Sequence, residues 1–183
     1  MTTRRLLSRA DGQDGFGLVE LVAAMVILSI GILAVAASFT SGVLSLKHAS
    51  RMTTAATLAD RQLELYRSLH YADILLDSTQ MASVDSTYTG DYAYSEGGTV
   101  TQITGTCALS GSAAAACEPM QTGIVGPDHS MYRIDSYVVA DTVSTSGGTS
   151  GQAMKKVTVV VRDGTTPGTT LARVQTAFDS GTG

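Results

Sequence analysis

The sequence predicts an α+β fold: one long N-terminal helix, its first half apolar enough to cross a membrane, packed through its second half on a small antiparallel β-sheet. Three observations carry this. Residues 21–46 form a block of 26 residues without Asp, Glu, Lys, Arg or His. Residues 52–66 then keep apolar side chains at spacings of three and four, the period of a helix with one buried stripe. Three segments near the C-terminus alternate apolar and polar residues, the period of half-buried strands.

The uncharged block is about 39 Å long as a helix, against a bilayer core of about 30 Å. Arg4, Arg5 and Arg9 precede it, and basic residues favour the cytoplasmic side. Lys47, His48 and Arg51 follow, so the bias is modest, and the short N-terminus favours N-inside, C-outside. A secretory signal peptide has an apolar run of about 7–15 residues ending in small residues. Here the run is far longer, and the small residues Ala34 to Ala37 lie deep inside it.

Past the block, the apolar stripe is Met52, Ala55, Ala56, Ala59, Leu63 and Tyr66, with Arg51, Asp60, Arg61, Glu64 and Arg67 largely off it. No Pro or Gly interrupts residues 43–89. One helix is therefore expected from about Phe16 to about His70, about 80 Å at 1.5 Å per residue.

After Tyr71 the texture changes to Ser, Thr, Gly and Ala. Tyr88, Tyr92 and Tyr94, spread about a Gly-Asp turn, suggest a short strand pair, and Val100–Thr104 reads as a strand. The C-terminal third is clearer. Tyr132, Ile134, Val138 and Ala140 share one face of an extended Met131–Ala140. Val157, Val159 and Val161 share a face of Lys156–Arg162, Asp163-Gly164 marks a turn, and Val174, Thr176 and Phe178 share a face of Leu171–Phe178. Together these make an antiparallel meander whose apolar face packs on the helix stripe. The loop Ser144–Gly151 is flexible by composition, and Ser180–Gly183 is expected to fray. The expected organisation is 1–15 leader, 16–46 membrane or filament-core helix, 47–70 amphipathic continuation and 71–183 extracytoplasmic β-rich domain.

Composition narrows the function. With 12 Lys and Arg against 16 Asp and Glu in 183 residues, the net charge is −4, which does not suit nucleic-acid binding. Apolar residues make up 44%, too many for a disordered chain, and one span excludes a multispan transporter. His48, His70 and His129 are isolated, and no zinc-protease, phosphate-loop or nucleophile-elbow pattern occurs. Asp128, His129 and Ser130 are adjacent in sequence, which reads as a turn, because a triad is recognised by geometry. Asp73, Asp77, Asp85 and Asp91 do not match an EF-hand spacing and read as solvated loop acids. Lys155 and Lys156 at a strand start are not a DNA patch. No catalytic residue, metal or cofactor is expected.

Cys107 and Cys117 are the only cysteines. Outside the cytoplasm a bridge between them is the expectation, closing a loop worth somewhat under about 3 kcal/mol. A free thiol or a metal site is the alternative, and two cysteines alone make a poor zinc signature.

The most informative residues precede the apolar block: Gly15-Phe16-Gly17-Leu18-Val19-Glu20-Leu21. A carboxylate deep in lipid costs roughly 2.5–3.5 kcal/mol on insertion scales and normally has a partner. Glu20 either sits at headgroup level as a helix N-terminal acid or pairs with a cation. The arrangement is a basic leader ending in Gly15, then Phe16, three uncharged residues, Glu20 and an aliphatic helix. It resembles the class III leader of type IV prepilins and type II secretion pseudopilins.

That resemblance covers residues 4 to about 46 and implies a pilin-like fold, a structural subunit and no enzyme. It implies cleavage between Gly15 and Phe16 by a membrane prepilin peptidase, which also methylates Phe16. Gly15, lacking a side chain, lets the backbone enter a protease cleft closely. Glu20, fifth in the mature chain, becomes the counter-ion for a neighbouring subunit's terminal amine, a pairing strong in low dielectric and costly when broken. The implied partners are other pilin or pseudopilin subunits, the peptidase/methyltransferase, an assembly platform with its motor, and the membrane. The implied location is the inner membrane, single-pass, then a surface or periplasmic filament.

Two features depart from major pilins. The mid-helix proline is replaced by Ala37, and Gly17-Leu18 stands where threonine is often followed by leucine. Gly31 and Gly42 remain as sites of close helix packing or of local melting. The missing proline, the stretch Ala59–Leu69 and the strand Lys155–Val161 resemble minor pilins. A minor pseudopilin and a permanently anchored adhesin or binding module are the alternatives.

Overall fold

The computed structural model describes residues 17–96, 101–142 and 153–181. The chain divides into two compact units, Met1–Leu46 and Lys47–Gly183. Helix α1 runs from Leu18 to Arg67. The expected start at Phe16 lies outside the described residues. The expected end near His70 is brought forward, because the Ser68 N–H reaches back to the Glu64 and Leu65 carbonyls and the chain turns into a short 3-10 helix, Tyr71–Asp73.

The globular unit begins with the second half of α1 and places the following segments around one sheet. These are β1 (Leu76–Asp77), α2 (Ser78–Met81), α3 (Ser86–Thr89), α4 (Tyr92–Ser95), β2 (Thr104–Gly105) and a 3-10 helix at Gly111–Ala116. The sheet follows as β3 (Met120–Val125), β4 (Met131–Thr142), β5 (Ala153–Asp163) and β6 (Thr170–Asp179). Its strands lie in sequence order and all pairs are antiparallel, an α+β pilin-like arrangement with α1. β1 and β2 form a separate parallel pair.

The expected meander is present as β4–β5–β6, with longer strands than the alternation indicated. The fourth strand, β3, carried no alternation: a register shift between Gln121 and Ile124 and Gly123 at φ +71° break the period of two. The loop 143–152 lies outside the described residues.

Both faces of the sheet are covered. Towards α1, Tyr132, Ile134 and Val138 of β4 and Val157, Val159 and Val161 of β5 pack with Ala55, Ala59, Leu63 and Tyr66. The stripe on α1 differs from the expected one. Met52 and Ala56 are exposed, while Gln62 is buried and donates to the Ala115 carbonyl at 2.8 Å. Two alanines on the seam let helix and sheet approach closely, and the small seam leaves Ala56, one 100° step from Ala55, outside it. Ala140 is also exposed, since the buried run of β4 ends at Val139. The buried Tyr66 hydroxyl has no partner at hydrogen-bond geometry, and burial pushes its pKa up to about 12.

The far face holds Tyr137 and Val160 beneath Tyr88 and Ala93. The tyrosine region therefore does not form strands. It forms α3 and α4, because Asp85 and Asp91 accept N–H bonds from Tyr88 and Ala93 as N-caps and nucleate one turn each. Tyr88 stacks on Tyr137 at 4.4 Å between ring centroids, and its hydroxyl donates to the Ser136 carbonyl at 2.6 Å. Val100 lies outside the described residues, and the rest of the expected Val100–Thr104 strand is reduced to a bridge, Gln102 to Val139, and to β2.

The acids read as solvated are largely structural. Asp77 caps α2. Asp85 clasps Arg133 with both oxygens, Asp91 holds Arg162 and Arg173, and between them Asp135, wholly buried, accepts from Arg133 Nε and Arg162 Nε, each at 2.7 Å. Three carboxylates thus balance three guanidinium groups and tie α3 and α4 to the sheet. Spacing in sequence carried no sign of this, since Asp85 and Arg133 are 48 residues apart. The lysines expected at a strand start are likewise engaged. Lys155 donates to the Tyr71 and Ile74 carbonyls, and Lys156 pairs with Glu96.

Candidate assembly site

The leader's Gly15 and Phe16 lie outside the described residues, so the site is seen from Gly17 onward. Gly17 opens the helix: its carbonyl accepts from the Glu20 and Leu21 N–H groups at 2.9 and 3.2 Å. This puts Glu20 in the first turn of α1, where the unsatisfied N–H ends attract a carboxylate. The Glu20 side chain is exposed, and no described residue pairs with it in this single chain.

From Leu18 to Leu46 every side chain is exposed, including Leu18, Ile27, Phe39 and Leu46 at 71–80% of their surface. A continuous apolar surface of this extent is unstable against water and requires lipid or other apolar helices to cover it. Three of its five hydroxyls need no water. Ser29 donates to Met25, Ser38 to Ala34 and Thr40 to Ala36, each to the carbonyl four residues back at 2.8–3.1 Å. Back-bonding of these three hydroxyls to the helix lowers the cost of placing them in hydrocarbon. By length and composition it is apolar enough to cross a membrane. Its sole carboxylate stands at one end.

The other expected site residues are structural. Cys107 and Cys117 form a disulfide. The Cys107 N–H donates to Asp77 Oδ2 and the Asp77 N–H to the Cys117 carbonyl, which fastens the bridged loop to the start of α2. The Gln80 N–H, then that of Cys107, holds the Asp77 carboxyl below the usual range. Asp128, His129 and Ser130 form the β3–β4 turn: Asp128 accepts from the Tyr132 hydroxyl at 2.7 Å and Ser130 Oγ accepts from Arg51 Nε, while His129 adopts φ 57° on the surface. Among the described residues no group of three or more His, Cys, Asp or Glu is placed to hold a metal.

Arg51, which the sequence showed only as a flanking basic residue off the apolar stripe, has a structural role. It donates to Asp163 at 2.8 Å and to Ser130, joining α1 to the ends of both hairpins. Nothing in the local pattern pointed to these partners, which lie 79 and 112 residues away.

Residues 11–36 match the family model for the prokaryotic N-terminal methylation motif. The N-terminus is therefore that of a type IV prepilin-like protein with a class III leader, and the motif supports a pilin-like or pseudopilin subunit. Comparison with curated proteins and with solved structures gives no significant match.

Proposed function

We propose that this chain is the precursor of a minor-pilin-type structural subunit of a type IV pilus-like filament. The observation that carries the reading is the methylation motif over 11–36, running into a helix whose exposed apolar surface calls for lipid and then for like helices. In this reading α1 holds the precursor in the inner membrane, N-terminus inside. Cleavage between Gly15 and Phe16 frees an amine, which is methylated. The subunit is then drawn by a motor complex into a filament.

Glu20 acts during that transfer. Its carboxylate attracts the terminal amine of an adjoining subunit in a low-dielectric core, so helices that stack out of register leave a buried charge unpaired. The clasped globular unit stays folded throughout and decorates, primes or caps the fibre. The chain works as a building element and not as an enzyme.

Mass spectrometry of the extracellular form tests the reading. The expected N-terminus is methylated Phe16. A mature protein that retains residues 1–15 overturns it and favours a permanently anchored binding module. A minor pseudopilin shares the leader chemistry, and deletion separates the two: loss of surface fibres marks a pilin, loss of enzyme secretion a pseudopilin.

A further inference from the structure

We infer that, while α1 anchors the precursor, the end of the globular unit at which the chain enters rests in the bilayer surface through Met52, Val125 and Met131. The inference rests on the reading of α1 as a membrane anchor. The globular unit begins at Lys47, the first residue past the apolar block. Arg51, the fifth, ties both hairpin ends to that point: it donates to Asp163 at the end of β5, at 2.8 Å, and to Ser130 in the β3–β4 turn, at 3.3 Å. β4 then leaves in the direction of α1, with Tyr132 by Arg51 and Ser136 by Gln62. The turn 126–130 therefore projects back towards the chain's point of entry. The Gly164 N–H joins the other hairpin to it at the Met131 carbonyl.

Burial is uneven across this unit. Among the described residues it exposes four large apolar side chains, and three of them stand at the entry end: Met52 at 45%, Val125 at 64% and Met131 at 46%. Val125 and Met131 are the last ladder pair of the β3–β4 hairpin, side by side on one face. Met52 continues the apolar stripe of α1 ahead of Ala55, its first buried member, and is left uncovered. Single exposed apolar residues are ordinary, whereas several gathered at one end mark a contact.

The tether argues what covers them. As helix, the five residues to Arg51 rise about 7.5 Å from the apolar block, and fully extended they span no more than about 18 Å. The headgroup layer is about 5–7 Å deep on each side of the hydrocarbon. An inserted helix therefore holds the turn 126–130 at headgroup level, where apolar side chains beside it reach the acyl boundary. A protein partner has no such fixed place, whereas the bilayer lies at this end whenever α1 is inserted. The local charges agree. Asp163 is paired with Arg51, and Asp128 accepts from the Tyr132 hydroxyl, so neither carboxylate stands bare towards lipid phosphates. Lys47 and His48 are exposed at the level of those phosphates. Within the filament reading, this contact holds the globular unit at the membrane until the subunit is extracted.

The test uses the full-length chain in phosphatidylcholine vesicles whose acyl chains carry bromine near the headgroup. The sequence has no tryptophan, so each single substitution is its own reporter. Val125→Trp and Met131→Trp are expected to lose emission about two-fold relative to unbrominated vesicles, as side chains at the acyl boundary do. Ser68→Trp, just past the far end of α1 and about 25 Å along it from Arg51, is expected to keep its emission. These positions are exposed, so the substitutions spare the core. Unquenched hairpin reporters overturn the proposal, whether water or protein surrounds them. Equal quenching of Ser68→Trp overturns it too, because contact would then not be confined to the entry end. Leu44→Trp, inside the apolar block, separates the two ideas. If it is quenched and the hairpin reporters are not, only this proposal falls; if it is unquenched, the membrane anchor falls and this proposal with it.

Discussion

Asp135 lies between Arg133 and Arg162 at the centre of the clasp. It is fully buried and bridges two arginines. Removing one member of a buried ion pair leaves the other uncompensated, at a cost of about 3–5 kcal/mol. Asp135→Ala is expected to lose that much in urea unfolding, and Asp85→Ala, whose side chain is 45% exposed, clearly less. At the other end of the chain two residues carry the assembly proposal. Glu20→Val is expected to insert into the membrane and enter filaments poorly, scored by immunogold or shear-fraction blotting. Gly15→Arg is expected to accumulate the uncleaved precursor, read by its mass. Normal incorporation of the first, or mature protein from the second, removes the role assigned to that residue. Both proposed roles rest on a local pattern, a glycine closing a basic leader and an acid bordering an apolar run. The role of Asp135 was not legible in sequence, because its partner Arg162 comes from another strand.

At the level of elements, the β3–β4 hairpin shows how closely α1 is approached. A Cβ at Gly126 would stand 2.6 Å from the Tyr132 ring and 2.9 Å from Thr54 of α1. Gly126→Ala is expected to cost about 1–3 kcal/mol through overpacking, measured as a lowered Tm of the globular unit. Elements with strong periodicity, α1 and β4 to β6, were readable before the fold was known. α3 and α4 were not. Four residues each are too short to show a helical period, and they exist because an aspartate caps each one and an arginine holds that aspartate. The buried face of α1 was half readable: spacing found Ala55, Ala59, Leu63 and Tyr66, whereas the burial of Gln62 depended on a carbonyl at Ala115, 53 residues away.

For the molecule as a whole, the clasp predicts acid sensitivity. The hydrogen bond from Arg133, assisted by the Tyr88 N–H, holds the Asp85 carboxyl at about 2. Burial pushes Asp91 upward, but the Ala93 N–H with Arg173 and Arg162 outweighs it and leaves that carboxyl below its usual range. Unfolded aspartate titrates near about 3.9. A depressed folded value stabilises above the unfolded pKa and is lost as pH falls through the folded one, so these contributions vanish between about pH 4 and about pH 2. The near-UV circular dichroism of the stacked Tyr88 and Tyr137 is expected to fade across that window, and an unchanged signal at pH 2 contradicts the clasp. By itself the chain's linear order determined the apolar span, the leader with its acid and the meander, since each is a pattern among neighbours. Only the folded arrangement decided which acids are buried and what covers the far side of the sheet, because those partners lie tens of residues apart and no local period records their meeting.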